Sequence, residues 1–129
     1  MNRPIVFREM LRSKVAYATV TQTELYYEGS ITLDEDMMKA SELKEYEKVD
    51  VLNLNNGERL QTYVIRGLPG SGVVCLNGPA ARKGSVGDKL VLISYAQCPS
   101  DAVDGWSALF VKLDERNRVA SVTRKNPSA

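Results

Sequence analysis

Two runs of alternating apolar and polar residues, Val49-Asp50-Val51-Leu52-Asn53-Leu54 and Leu60-Gln61-Thr62-Tyr63-Val64-Ile65, flank the turn residues Asn55-Asn56-Gly57. Asn-Gly accepts the left-handed backbone that a tight reversal between twisted strands requires, so it is the strongest short-range hairpin signal a sequence carries. An antiparallel pair is expected here, with Arg59, Thr62 and Tyr63 on its second strand. A chain that commits its middle to such a pair must build a sheet around it.

The remaining segments agree. Phe7 to Val20 is rich in Val, Tyr and Thr and alternates as a long strand. Leu25 to Leu33 reads as a second strand. Either Thr32, at capping-box spacing from Glu35, or Asp34 begins a short helix ending near Ser41, with Glu35 and Asp36 suited to its first turn. Leu68 to Gly72 is a turn and Val73 to Leu76 a short strand ending at Asn77-Gly78. Pro79 to Arg82 can begin one helical turn, leaving backbone N–H groups near Gly78 and Ala80 to face a carboxylate. Lys89 to Ala96 is a strand, Pro99 to Gly105 a short helix or loop, and Leu109 to Leu113 with Val119 to Val122 two late strands. The tail beyond Arg124 is expected to be loose. Many short strands with few helices favour a mainly β barrel in one domain, residues 1–129.

Composition excludes several classes of function. The 17 basic and 16 acidic residues are interspersed and leave a net charge of +1, too weak a field to attract nucleic acid or an anionic membrane. Histidine is absent, which removes histidine general bases, Ser-His pairs and His-containing zinc sites together; no metal site is expected. Cys75 and Cys98 have no CxxC spacing and are too few for a disulfide framework, so free thiols in a reducing compartment are expected. Met1 to Met10 lacks the apolar stretch of a signal peptide, and the run Leu90 to Ile93 is too short to cross a bilayer. A cytoplasmic protein is the expectation.

Within the second strand lies Tyr26-Tyr27-Glu28-Gly29-Ser30-Ile31-Thr32. A Gly-Ser pair commonly marks a turn or a bulge. It also permits a reaction: a serine hydroxyl can attack the preceding carbonyl and move the acyl group from nitrogen to oxygen, provided the backbone is bent, and glycine tolerates the bend. Elimination from the ester gives dehydroalanine at position 30, and loss of ammonia on hydrolysis leaves a pyruvoyl group on a new N-terminus.

Lys14, then Tyr27-Glu28-Gly29-Ser30-Ile31-Thr32, then Asn56-Gly57-Glu58-Arg59 with Thr62-Tyr63, then Asn77-Gly78-Pro79-Ala80-Ala81 together resemble the aspartate 1-decarboxylases, from about Met10 to Ala96. That resemblance implies a double-psi β-barrel with short helices, assembled as a homotetramer. It implies cleavage between Gly29 and Ser30 into a β chain of residues 1–29 and an α chain of 30–129, with a pyruvoyl cofactor made covalently from Ser30. It further implies decarboxylation of L-aspartate to β-alanine, on the way to pantothenate and coenzyme A. Direct loss of carbon dioxide from an α-amino acid leaves an unstabilised carbanion, and a ketone joined to the substrate amine as a Schiff base supplies the electron sink. An activator protein for cleavage is a partner the resemblance leaves open.

Carried over residue by residue, the resemblance makes Ser30 and Tyr63 catalytic, Tyr63 as proton donor. Lys14, Arg59, Thr62, Asn77, Gly78, Pro79 and Ala80 are the substrate-binding positions. Arg59 offers a planar fork for a carboxylate and Lys14 a point charge, while Thr62 is also a candidate for steadying the acyl shift. Two departures stand out. Pro79 replaces an alanine and removes an N–H donor, and Ala16 and Tyr17 occupy positions where many family members carry histidine and arginine. The competing readings are an uncleaved, non-catalytic β-barrel binding module and a pyruvoyl decarboxylase of another acidic amino acid.

Overall fold

Residues 3–127 are described in a computed structural model. Among them, β1 (Phe7–Thr19), β2 (Gln22–Glu24), β3 (Ser30–Asp34), β4 (Lys48–Asn53), β5 (Arg59–Gly67), β6 (Val74–Asn77), β7 (Lys89–Pro99), β8 (Ala108–Leu113) and β9 (Val119–Lys125) form one mixed sheet. Its order is β2-β6-β3-β5-β4-β7-β1-β8-β9. The β1/β8, β2/β6 and β3/β5 pairs are parallel and the rest antiparallel. A helix, α1 (Glu35–Ser41), and two 3₁₀ helices, Gly78–Lys83 and Ser100–Gly105, fill the connections.

The long first strand is present and pairs with β7 from Phe7↔Pro99 to Thr19↔Lys89, interrupted by irregularities at Leu11/Ser13 and Ala16/Ala18. Tyr17 is the extra residue of the second bulge, held at φ 70°. Lys112 Nζ sits 5.6 Å from its ring centroid, a cation–π contact that helps hold this unusual conformation. The core that the sheet encloses includes Val15, Ile31, Leu33, Val64, Leu76 and Leu92, none more than 1% exposed. Each such side chain contributes roughly 1.5–3 kcal/mol by leaving water.

Asp34, rather than Thr32, caps α1: its Oδ1 accepts from the Asp36 N–H at 2.8 Å. The same buried carboxylate also accepts from the Gly70 N–H at 3.1 Å and the Gly72 N–H at 2.8 Å, so it ties the helix to the 68–72 turn. The hairpin expected from Asn56-Gly57 is present between β4 and β5, from Lys48↔Tyr63 to Leu52↔Arg59. Its reversal is longer than a two-residue turn, spanning residues 54–58, with Gly57 at φ 75°. Buried Asn53 organises this loop, accepting from the Asn55 and Asn56 N–H groups and donating to Asp88 Oδ2 at 2.9 Å.

One expected element is not there. Leu25 to Leu33 is not one strand: β2 stops at Glu24 and β3 starts at Ser30. The cause lies in β6. Glu24 pairs with Asn77 along one edge of β6, and Ser30 pairs with the same Asn77 along the other. Residues 25–29 must therefore arch around the end of β6, and pairing on both sides overrides the strand preference of the two tyrosines. Tyr26 is 99% exposed as a result. At the far end, the tail beyond Arg124 begins as strand, since β9 runs to Lys125; residues 128–129 of that tail, and residues 1–2 of the segment read for a signal peptide, lie outside the described residues.

Candidate active site

The arch sets the geometry of the Gly29-Ser30 bond. Ser30 opens β3 and is buried at 1% exposure. The sequence led us to expect the bend at Gly29, yet Gly29 is not among the residues at positive φ; a left-handed glycine lies instead against the arch, Gly78 at φ 62°. A Cβ at Gly78 would lie 2.6 Å from the Tyr27 carbonyl oxygen and 2.8 Å from Gly29 Cα, so only a bare backbone fits beneath the bond. What a side chain at 29 would meet is Pro79, whose Cδ lies 3.3 Å from the position of a Cβ. The proline that departs from the family pattern thus packs against the residue before Ser30.

Asn77 reaches the serine from β6. Its Nδ2 donates to Ser30 Oγ at 2.9 Å and to Thr32 Oγ1 at 2.9 Å. Ser30 Oγ in turn donates to the Glu28 carbonyl oxygen at 3.3 Å, a long bond. Behind Asn77, the Cys75 thiol donates to Asn77 Oδ1 at 3.1 Å. Burial first, and then the Glu24 carboxylate, push the Cys75 thiol above its ordinary range, so it carries its proton at neutral pH.

On the other side of β3 lies β5, parallel to it; their pairing begins with Ile31 opposite Val64, the residues that follow Ser30 and Tyr63 in the chain. A cleft of about 350 Å³ opens there, lined by Gly29, Leu60, Gln61, Thr62, Tyr63, Pro79, Ala80 and Lys83. Tyr63 is half-buried, its ring 6.0 Å from that of Tyr46 and tilted by 57°. Arg59 is exposed and lines an adjoining hollow with Asp50, Leu52, Leu60 and Gln61, two of which also line the first cleft. The structure therefore brings Gly29, Ser30, Thr62, Tyr63, Asn77, Gly78, Pro79 and Ala80 together and sets Arg59 at the margin. Lys14 is elsewhere. It pairs with Ile93 and Phe110 and lines a separate cleft with Tyr17, Phe110 and Lys112.

Two contributors escaped sequence reasoning, Thr32 and Cys75. The signal was present: Ser30 and Thr32, and likewise Cys75 and Asn77, are two apart on strands and so share a face. Of the two positions whose N–H groups were expected to face a carboxylate, Ala80 lies on the cleft wall at the 3₁₀ helix, while buried Gly78 supports the arch.

The family model described as aspartate decarboxylase matches residues 6–120. The chain belongs to the aspartate decarboxylase family. Relatives in this decarboxylase family include the aspartate 1-decarboxylase of Bacillus cytotoxicus, 52% identical over 114 residues, covering 88% of this chain and 90% of that protein. That of Cytophaga hutchinsonii is 50% identical over 111 residues, covering 86% and 96%, and that of Aliarcobacter butzleri 47% identical over 117 residues, covering 91% and 92%. The nine-stranded mixed sheet with its short helices bears out the expectation of a mainly β fold.

Proposed function

We propose that this chain decarboxylates L-aspartate to β-alanine and carbon dioxide, serving pantothenate and coenzyme A synthesis, through a pyruvoyl group it makes from its own Ser30. The observation that carries the reading is the buried Ser30 hydroxyl. It is held between the Asn77 carboxamide and the Glu28 carbonyl, at the edge of a cleft that contains Gly29, Thr62 and Tyr63. Family membership supports the same activity.

Maturation balances without an outside oxidant. Ser30 Oγ gives up its proton and bonds to the Gly29 carbonyl carbon while the peptide C–N bond breaks, and the departing nitrogen takes up a proton. The result is an ester and a free amine. Ser30 Cα then yields its proton to water, the Cβ–Oγ bond breaks, and the electron pair stays on Oγ as the Gly29 carboxylate. Proton shift, addition of water and departure of ammonia leave the ketone. The site fits this sequence because Oγ already receives an N–H from Asn77 and because nothing but backbone lies between Gly78 and the arch.

The ketone supplies the electron sink that decarboxylation at an α-carbon requires. The chain supplies the rest. Arg59 offers two parallel N–H groups to one substrate carboxylate. Tyr63, in the cleft with Gly29, carries a phenol to the carbon that must be reprotonated. Thr62 faces the cleft with Gly29, within the site where the acyl shift occurs. Lys14 lies in another cleft of its own chain, which favours a homotetramer in which a neighbouring copy supplies it. Both cysteines are free and buried, which supports a reducing, cytoplasmic setting. An activator protein remains part of the proposal only if cleavage of the isolated chain is slow.

Intact mass tests this directly. Purified protein should resolve into residues 1–29 and 30–129, the second lighter by one ammonia than simple hydrolysis gives, and should convert aspartate to β-alanine. Ser30→Ala should stay whole, having no hydroxyl to attack. A wild-type chain that stays whole through warm incubation, both alone and in a host lysate, overturns the proposal.

A further inference from the structure

Asn77 can present either end of its carboxamide to Ser30, and the two ends do opposite things to the hydroxyl. With the NH₂ toward Ser30, the serine oxygen receives a donor; with the oxygen toward it, the serine proton would be drawn to Asn77 instead. The choice is made on the far side of the amide. Cys75, two residues earlier on β6 and 4% exposed, aims its S–H at Asn77 Oδ1 at 3.1 Å. A thiol donates more readily than sulfur accepts, so it selects the amide oxygen and turns both N–H groups toward Ser30 and Thr32. Burial and the nearby Glu24 carboxylate keep that proton on sulfur. The chain of donors runs Cys75 to Asn77 to Ser30 to the Glu28 carbonyl.

We propose that Cys75 is a positioning residue for maturation: its thiol locks the Asn77 carboxamide so that one N–H stays on Ser30 Oγ while that oxygen leaves Cβ. The inference rests on the reading that Ser30 is converted as described above. Its chemical content lies in the elimination step. During acyl shift Oγ passes from hydroxyl to ester, and little negative charge resides on it at the end. During elimination the Cβ–Oγ electron pair collects on Oγ, and a fixed N–H aimed at that atom stabilises the developing carboxylate. A carboxamide free to turn presents its own oxygen for part of the time and repels the charge. Without the lock, hydrolysis of the ester competes better, and a larger share of chains ends in serine instead of a pyruvoyl group.

Paired substitutions separate this role from packing. Cys75→Ser keeps an O–H donor but is the more polar occupant of a buried site, whereas Cys75→Ala is apolar and lacks the donor. The pair Cys75→Thr and Cys75→Val repeats the comparison at matched shape, should alanine leave the fold too loose. Three quantities are read on each purified protein: the rate of appearance of fragment 30–129, the ratio of pyruvoyl to serine ends by intact mass, and the thermal midpoint. The donor-bearing variants should mature within about twofold of wild type, and the donor-less ones about tenfold more slowly, the scale of one ordinary hydrogen bond. The serine-ended fraction should rise in the donor-less variants alone. A packing role predicts instead that maturation follows the thermal midpoint, and that ordering overturns the proposal. Equal maturation in all four variants also overturns it. A wild-type chain that never cleaves sinks the parent reading, and a chain that cleaves but ignores position 75 sinks this one alone.

Discussion

At Gly78 a single missing carbon decides whether the arch can sit where it does. The residue holds φ 62°, where an L side chain costs about 1–2 kcal/mol, and a Cβ would be driven against the Tyr27 carbonyl and the backbone of Gly29. Both obstacles are main chain and neither can rotate away. Gly78→Ala should therefore keep its β fold by circular dichroism yet cleave far more slowly than wild type, because the arch must shift to admit the methyl; cleavage at the native rate would show that the contact is incidental. Tyr63 asks a different question, since it shares the cleft with Gly29 but is assigned to product formation. Tyr63→Phe preserves the ring and its contact with Tyr46 while deleting the hydroxyl. It should mature normally into two chains and then turn over aspartate more slowly by about a hundredfold or more, the usual scale for a positioned acid. An uncleaved variant would move Tyr63 to maturation, and an unimpaired one would hand the proton to another donor. Ser30, Tyr63 and Asn77 were legible because they sit in short blocks whose spacing resembles a family pattern. The orientation of Asn77 was not, because it depends on which group of Cys75 faces it across two bonds of rotation.

Among the elements, the β4–β5 hairpin was legible in advance and the β2–β3 arch was not, for opposite reasons. Asn56-Gly57 acts locally: the left-handed turn is written in the residues that adopt it. Leu25-Tyr26-Tyr27 has the composition of a strand, and only the non-local fact that β6 is paired on both edges forces it to turn outward. Near Tyr26 only the Gly29-Ser30 pair hints at a turn, and it does not tell that the break begins after Glu24. The hairpin carries its own measurable tie to the rest of the sheet. Asp88, in the turn before β7, has its carboxyl pulled below the ordinary range, chiefly by the Asn53 side-chain N–H and then by the Ser85 backbone N–H. A carboxyl lowered in the folded state contributes stability that is present above its unfolded value, near about pH 4, and that is lost as pH falls through the folded value. Wild type should accordingly melt higher than Asp88→Asn at neutral pH, with the gap closing as the pH drops below about 4. Two melting curves that stay parallel across that window would leave the Asn53–Asp88 bond without a part in acid stability.

For the whole molecule, the position of Lys14 is the strongest argument that one chain is less than a complete catalyst. Ser30, Thr62 and Tyr63 gather around β3 and β5, whereas Lys14 lies on β1 among Tyr17, Phe110 and Lys112. If Lys14 serves aspartate, it must do so at a cleft belonging to another copy, and the site then spans two chains. That arrangement has a consequence that no single-chain site can imitate. Lys14→Ala and Tyr63→Phe should each be nearly inactive alone. Co-expressed in equal amounts, they should assemble some sites that take Lys14 from the Tyr63→Phe chain and Tyr63 from the Lys14→Ala chain. Random mixing leaves about a quarter of the sites with both native side chains, so the mixture should regain about that share of wild-type turnover. Mixing the two after each has assembled and matured separately should regain none until subunits exchange. If Lys14 instead acts within its own chain, every site in the mixture lacks one of the two groups, and activity stays at the level of the single variants however the proteins are combined.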